Sequence, residues 1–449
     1  MKNPFPPKQK VRELSINLSL AVIPLLTLYL IFEFAVFKHL LPLISMRQQQ
    51  SVPEPIQTLC EVSKKSTMPH RYILMLGDSN ADGWGDWVQG NDIDKNEPYG
   101  VHDLIYRMTG IDTIECGFAG GSPLETLIRK PINRYRYLRK TWLYKIEDPK
   151  HVLFLFYEGN DLSDNLNRFR RDNLFETPLN FKCVYHERYF RWYLETVVPK
   201  SDALYYDVKR FRWSYNFVSF RFIKELVRRR LFEKYPKGAT GSVALAQRGT
   251  NSVMIDGEKV FIPRGDLVTV PNLSEEDFKL SVYMTGECLD VIKDFFPRSK
   301  FTIVYIPAPI TSYEIISDSV TVKKKEGVAD TVVDDTKAVF ERSDKVFKAI
   351  QKLAQERKMA AIDVRPYFRK AATKQGLLHG TRDVNHLSRV GYTELAKAIV
   401  AEMDFSDFPG YKPSSGPRLL DPETVINPFS SKPDIQSILL SKNKKSARS

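Results

Sequence analysis

Cysteine is scarce, with four in 449 residues. Cys60, Cys116, Cys183 and Cys288 stand far apart and form no Cys-x-x-Cys pair, which excludes a disulfide-stapled scaffold and leaves no legible zinc site. Histidine is scarce too, with seven in the chain. The 22 glycines and 27 prolines are too few for a collagen-like or broadly low-complexity chain, and no internal repeat is visible. Acidic residues are outnumbered, 54 against 67 Lys and Arg, for a net charge of +13. What is present is apolar mass: hydrophobic residues make up 43% and aromatics 12%, which excludes a wholly disordered chain. The length allows about two to four domain-sized blocks, or one large α/β domain with insertions. The basic balance suits anionic partners: nucleic acid, anionic lipid or acidic polysaccharide.

The N-terminus narrows that choice. Lys2, Lys8, Lys10 and Arg12 precede any acid, and Ile16–Phe37 is then mostly apolar over 22 residues. That length suffices for a hydrocarbon core of ~30 Å at about 1.5 Å per residue. Asn17, Pro24 and Glu33 interrupt the run, and Glu33 lies close enough to Lys38 to reach the interface. No small-x-small cleavage site follows, so residues 14–37 read as an uncleaved signal anchor behind a basic tail, 1–13. The basic flank is expected to stay cytoplasmic. The rest of the chain is then expected across the membrane, periplasmic or extracellular in a bacterium. Nucleic acid is not expected as a partner there.

Residues 38–69 are mixed and polar and read as a linker. Short apolar runs follow in alternation with helical spacings. Tyr72–Leu76, Asp112–Cys116, His151–Tyr157, Phe301–Ile306 and Ala361–Val364 read as strands. Val101–Met108, part of Leu124–Trp142, residues 338–357 and Tyr392–Met403 read as helices. Strands alternating with helices predict a parallel sheet covered on both faces, with a binding crevice at its strand ends. The alternation occupies 70–166 and 281–406, and residues 167–280 interrupt it as an insertion. Within the insertion, Lys200–Lys237 holds eleven Lys/Arg against four Asp/Glu among aromatics, and Asp256-Gly257 marks a hairpin turn. Residues 407–449, rich in Pro, Ser and Lys, read as a loosely ordered tail.

Four short segments fall at the ends of these elements. Gly77-Asp78-Ser79-Asn80 follows the first strand and would hold a serine hydroxyl above the sheet in a tight turn. Glu115-Cys116-Gly117-Phe118-Ala119-Gly120 follows the second, where glycine lets backbone N–H groups approach a ligand. Glu158-Gly159-Asn160-Asp161 follows the third, and its Asn can donate an amide to an oxyanion or simply cap the next element. Asp383-Val384-Asn385-His386 precedes the last helix, and its spacing lets an Asp orient an imidazole toward a hydroxyl.

Together these segments resemble the GDSL/SGNH hydrolase family, whose four blocks carry Ser, Gly, Asn and His in this order. The likeness spans about 70–166 and 281–406 and leaves out the anchor and the insertion. It implies an α/β, flavodoxin-like three-layer sandwich with a five-stranded parallel sheet. It implies Ser79 as nucleophile, His386 as general base and Asp383 as its orienter. Gly120 and Asn160 would be oxyanion donors beside the Ser79 N–H. Three positions depart from the family pattern: Glu115 stands for the usual Asn, Glu158 for the usual Gly, and Asn80 for the usual Leu.

The resemblance implies a serine esterase with no metal or organic cofactor, cleaving acyl groups, acetyl foremost, from an envelope glycan or related ester. Two alternatives are an O-acyltransferase decorating an exported polysaccharide, and a non-catalytic glycan-binding or scaffold protein. The intact Ser79, His386 and Asp383 argue against the last. The arginine run Arg228, Arg229 and Arg230 is a candidate contact for anionic lipid or acidic polysaccharide, or else a solvated helical face. The sequence names no protein partner.

Overall fold

The computed structural model describes residues 8–44, 51–63, 68–85, 100–141, 143–176, 187–202, 205, 217–232, 248–263, 270–323, 331–380, 385–408 and 411. Its centre is strand β3, His151–Tyr157, and every one of its seven residues is buried. A strand this apolar on both faces must be covered on both. β1 (Ile73–Gly77) runs parallel to it, with Ile73 opposite His151 and Gly77 opposite Leu155. β6 (Lys300–Ile306) runs parallel on the other side. β2 (Thr113–Glu115) and β9 (Ala360–Asp363) complete a five-stranded sheet in the order β2-β1-β3-β6-β9, all pairs parallel. This is the doubly wound arrangement, with the strand order reversing next to β1, where such sheets form a crevice.

Helices supply the covering layers. α2 (Val101–Thr109) packs on α9 (Arg389–Glu402), and α4 (Asp161–Glu176) packs on α6 (Glu275–Phe295). α3 (Lys130–Lys140) follows a π-helical turn at Leu124–Arg129, and α7 (Thr336–Glu356) leans on β6 and β9. α8 (Arg365–Gln375) packs on α9. Val346, Ile350, Leu353 and Ala354 form the buried stripe of α7, as their spacing predicts. Three helices, α6, α7 and α9, begin at side-chain caps: Ser274 accepts from Asp277 N, Asp335 from Ala338 N, and Ser388 from Gly391 N.

Two hairpins lie outside the sheet. β4 (Arg248–Ile255) pairs antiparallel with β5 (Glu258–Pro263), and β7 (Ser319–Lys323) with β8 (Thr331–Asp335). Asp256 and Gly257 join the first pair, both at positive φ (51° and 75°), which fits a type I′ turn. The sequence pattern does not announce the second hairpin.

The region read as a linker is packed where it is described. Val52, Ile56, Leu59, Cys60 and Val62 are buried. Val62 bridges Ile114 in antiparallel fashion, Ser63 N donates to the Thr113 carbonyl and Glu115 N to the Glu61 carbonyl. This short segment therefore satisfies the outer edge of β2, which would otherwise offer unpaired backbone groups. Its polar composition hides this role because polar residues such as Ser51, Thr58 and Ser63 are buried along with the apolar ones. The tail, 407–449, lies outside the described residues except for Asp407, Phe408 and Tyr411.

The N-terminal helix α1, Lys8–Ile31, continues through a π-helical turn at Phe32–Phe37. Ser15–Leu43 is long and apolar enough to cross a membrane, and Leu18, Leu20, Leu25 and Leu28 project outward, more than half exposed. Glu33 does not reach outward toward an interface; it is fully buried. Its carboxylate accepts from Val218 N at 2.8 Å, from Ser219 N at 3.1 Å, and from the hydroxyls of Ser219, Tyr29 and Tyr144. Val218 and Ser219 open helix α5 (Val218–Phe232), so a carboxylate from the π-helical turn after α1 caps α5 from outside it.

Gly77 sets the approach of β1 to β3. Its φ is 152°, and a Cβ built there would stand 2.8 Å from the Leu155 carbonyl oxygen and 3.0 Å from Ala81 Cβ. Gly77→Ala is expected to cost about 2 kcal/mol or more through strain and displacement of β1. Urea denaturation of the purified chain measures it, and a wild-type midpoint would contradict this account of the turn.

Candidate active site

The turn after β1 is shaped by Asp78. Its Oδ1 accepts from Asn80 N at 2.9 Å, and its carbonyl accepts from Ala81 N and Asp82 N. That tight turn leaves Ser79 at 9% exposure, the most accessible of the three residues from Asp78 to Asn80. Ser79 Oγ lies 2.7 Å from His386 Nε2 and only at 3.4 Å from Asp78 Oδ2, so the imidazole is its principal partner. For the hydroxyl to donate, the imidazole proton must sit on Nδ1. Asp383, the expected partner of that proton, lies outside the described residues.

The His386 loop is braced independently of Ser79. Gly380 N donates to the His386 carbonyl, and Ser388 N donates to the Leu378 carbonyl. His379 bridges Leu387, and the buried Tyr313 hydroxyl accepts from Leu378 N and His379 N. Ser388 then caps α9. His386 therefore stands two residues before the cap of α9, Ser388, with its carbonyl bonded to Gly380 N.

The other two segments reach the same sheet edge, because β2, β1 and β3 are parallel neighbours. Gly120 sits at φ 70° with open space where a Cβ would project. Gly117 packs so closely that a Cβ would stand 2.5 Å from Asp82 N, which joins the second turn to the first. Asn160 ends the β3 turn; its carbonyl accepts from Asp164 N and Ser163 Oγ as α4 begins. Its side-chain Oδ1 is buried and has no hydrogen-bond partner, so that end of the amide is not consumed by the fold.

The two glutamates that depart from the family pattern both turn into the protein. Glu158 accepts from Thr311 Oγ1 and Ser343 Oγ, each at 3.0 Å, and so ties the β3 turn to the loop after β6 and to α7. Burial raises its pKa to about 7. Glu115 accepts from Gly117 N and hydrogen-bonds Glu61; burial, and then the charges of Glu61 and Asp82, push its pKa well up. Asp82 is raised to about 7 by burial and by Glu61. Glu61, Asp82 and Glu115 bring oxygens within 4.8 Å of one another. Three such oxygens are ligands a hard divalent cation uses. Burial instead favours a proton on Glu115, and Lys130 and Arg134 border the same cleft of about 380 Å³.

Sequence reasoning missed Trp84. Its indole N–H donates to Asp82 Oδ2 at 2.8 Å, its ring lies 6.3 Å from the His386 ring, and its carbonyl accepts from the Tyr392 hydroxyl on α9. Trp84 thus links the serine turn, the carboxyl cluster and the histidine-bearing end of the chain. No sequence signal marks it, because its contacts with His386 and Tyr392 come from the other end of the chain. Asp78 and Asp161 are likewise buried, and burial raises both. Of the arginine run, Arg228 forms a bidentate pair with Glu225, while the side chains of Arg229 and Arg230 lie outside the described residues. No protein-family model matches the chain, and no curated protein matches it.

The raised carboxyls predict a pH dependence of stability. Asp82, Glu115 and Glu158 retain protons in the folded chain at pH values where the unfolded chain has released them. The folded state then binds more protons, so this contribution to stability falls as pH rises above about 4, through about 7 for Asp82 and Glu158. Glu115→Gln keeps an acceptor for Gly117 N and a donor for Glu61 while removing the titration. Urea midpoints from pH 5 to 8 should fall less steeply in this variant, with a gain of order 1 kcal/mol at pH 8. A slope equal to that of wild type would refute the assignment.

Proposed function

We propose that the chain is a membrane-anchored serine esterase of SGNH type, acting by acyl transfer through Ser79. The observation that carries this reading is the 2.7 Å contact between Ser79 Oγ and His386 Nε2 across 307 residues of sequence. A serine held in a tight turn needs an adjacent base to become a nucleophile, and the imidazole is placed to take its proton. His386 accepts that proton as Oγ attacks the ester carbonyl carbon. The tetrahedral oxyanion is held by the Ser79 N–H, the Gly120 N–H and the Asn160 amide. His386 next gives the proton to the departing alcohol, leaving an acyl-Ser79. Water, activated by the same imidazole, attacks the acyl carbon, the Ser79–acyl bond breaks, and the proton returns to Ser79 through His386. Asp383 orients the imidazole.

The substrate in this reading is an O-acylated carbohydrate or similar ester, with acetyl foremost among acyl groups. The helix Ser15–Leu43 anchors the chain, with the basic N-terminus cytoplasmic and the sheet domain on the far side. Lys2, Lys8, Lys10 and Arg12 support that orientation.

Hydrolysis of a p-nitrophenyl ester series by the detergent-solubilised chain tests the chemistry. Wild type should favour short acyl chains, and Ser79→Ala and His386→Ala should each lose about 10³-fold or more. Asn160→Ala should lower kcat by about 10²–10³ with little change in KM. Absence of hydrolysis by a folded wild type, with acyl transfer to a glycan acceptor instead, would replace the esterase by the transferase. Activity retained in Ser79→Ala would remove the assignment altogether.

A further inference from the structure

We propose that α5 is an interfacial helix, pinned to the anchor by Glu33, which lays one face into the acyl chains and an adjacent basic face against anionic lipid headgroups. The inference rests on the reading of Ser15–Leu43 as a membrane span.

Depth is the first argument. From Arg12, the last basic residue before the apolar run, to Glu33 is about 32 Å of helix at 1.5 Å per residue, close to the ~30 Å hydrocarbon thickness. The carboxylate that caps α5 therefore sits at the far boundary of the bilayer, and the first turn of α5 with it. Glu33 is acceptable at that depth because its oxygens accept from Val218 N, Ser219 N and three hydroxyls. Aromatic contacts hold the junction: Phe217 stacks on Tyr29 with ring centroids 6.3 Å apart, and Phe222 meets Phe37 at 5.8 Å.

The faces of α5 are the second argument. Val218 and Ser219 are buried and Phe222 packs against the core, which fixes the inner face. Phe220, Ile223 and Val227 are exposed at 59%, 49% and 50%, and their i, i+3, i+7 spacing makes them one stripe. Arg221, Lys224 and Arg228 form the neighbouring stripe, on which Arg228 is ion-paired with Glu225, Arg221 is half-buried and Lys224 is exposed. Arg221 and Lys224 border a cleft of about 680 Å³ beside the anchor's Tyr29, which Phe217, Phe220 and the acid Glu225 also line. An apolar stripe flanked by a basic one at the depth of the headgroups matches the chemistry of an anionic lipid surface. An exported acidic glycan would leave Phe220, Ile223 and Val227 in water.

The test uses the full chain in phosphatidylcholine vesicles, with and without phosphatidylglycerol. A polarity-sensitive fluorophore is attached at Ile223→Cys, Leu25→Cys or Lys337→Cys in a Cys183→Ser background, since Cys60, Cys116 and Cys288 are buried. Lys337 is an exposed reference position on α7. The 223 probe should be quenched severalfold by shallow nitroxide lipids and little by aqueous iodide. The 25 probe should respond to deep nitroxides and the 337 probe to iodide alone. Arg221→Glu with Lys224→Glu should reduce lipid quenching at 223 only where phosphatidylglycerol is present. Glu33→Ala should reduce it in all vesicles while leaving the 25 probe unchanged. Lipid quenching at 25 with iodide quenching alone at 223 would overturn the proposal and leave the anchor standing. Iodide quenching at both positions would remove the anchor itself, and the proposal with it.

Discussion

Strand β3 is hydrogen-bonded along both edges and buried on both faces, and it fixes the direction and register of its neighbours. Parallel pairing sends the ends of β1, β2, β3 and β6 to one edge of the sheet. The closest approach, at Gly77 beside the Leu155 carbonyl, leaves no room for a side chain immediately before the turn that carries Ser79. The position of the serine is therefore a consequence of sheet packing, and the turn needs only Asp78 to close it. The histidine arrives from the other end of the chain on a loop braced by Tyr313 and the start of α9. Two separately braced segments meet at one hydrogen bond, Ser79 Oγ to His386 Nε2.

Buried carboxyls recur around this edge, and each is tolerated because it bonds to something specific. Glu158 ties the β3 turn to the loop after β6 and to α7, and Glu115 holds the Gly117 turn. Removing such groups from water disfavours their charge, so burial drives Glu115, Glu158 and Asp82 toward the neutral form. The glutamates that look anomalous as motif letters are buried braces that tie neighbouring turns together. Trp84 joins these layers by bonding Asp82 and lying beside His386.

Glu33 follows the same logic at the other end of the molecule. An acid in an apolar helix is costly unless its oxygens are satisfied, and the N-terminus of α5 supplies backbone donors with a favourable dipole. That exchange joins the apolar helix to the globular part through side-chain chemistry as well as chain connectivity. It also fixes where α5 begins relative to the apolar helix.

The sequence by itself determined the sheet and its order of elements. Continuous apolar runs such as His151–Tyr157 have few alternatives to a buried strand, and Asp256-Gly257 has few alternatives to a hairpin turn. It also placed Ser79 at a strand end and His386 just before a helix, because strand, glycine and cap signals are local. The contact between them was inferable only through block order and a family likeness. Tertiary structure decided everything that depends on non-local neighbours. It turned Glu115 and Glu158 inward, brought Trp84 to His386, and laid residues 61–63 against the open edge of β2. It also made Glu33 a helix cap. In each case the residue type is compatible with several roles, and what selects one is the set of donors, acceptors and buried surface that folding brings from elsewhere in the chain.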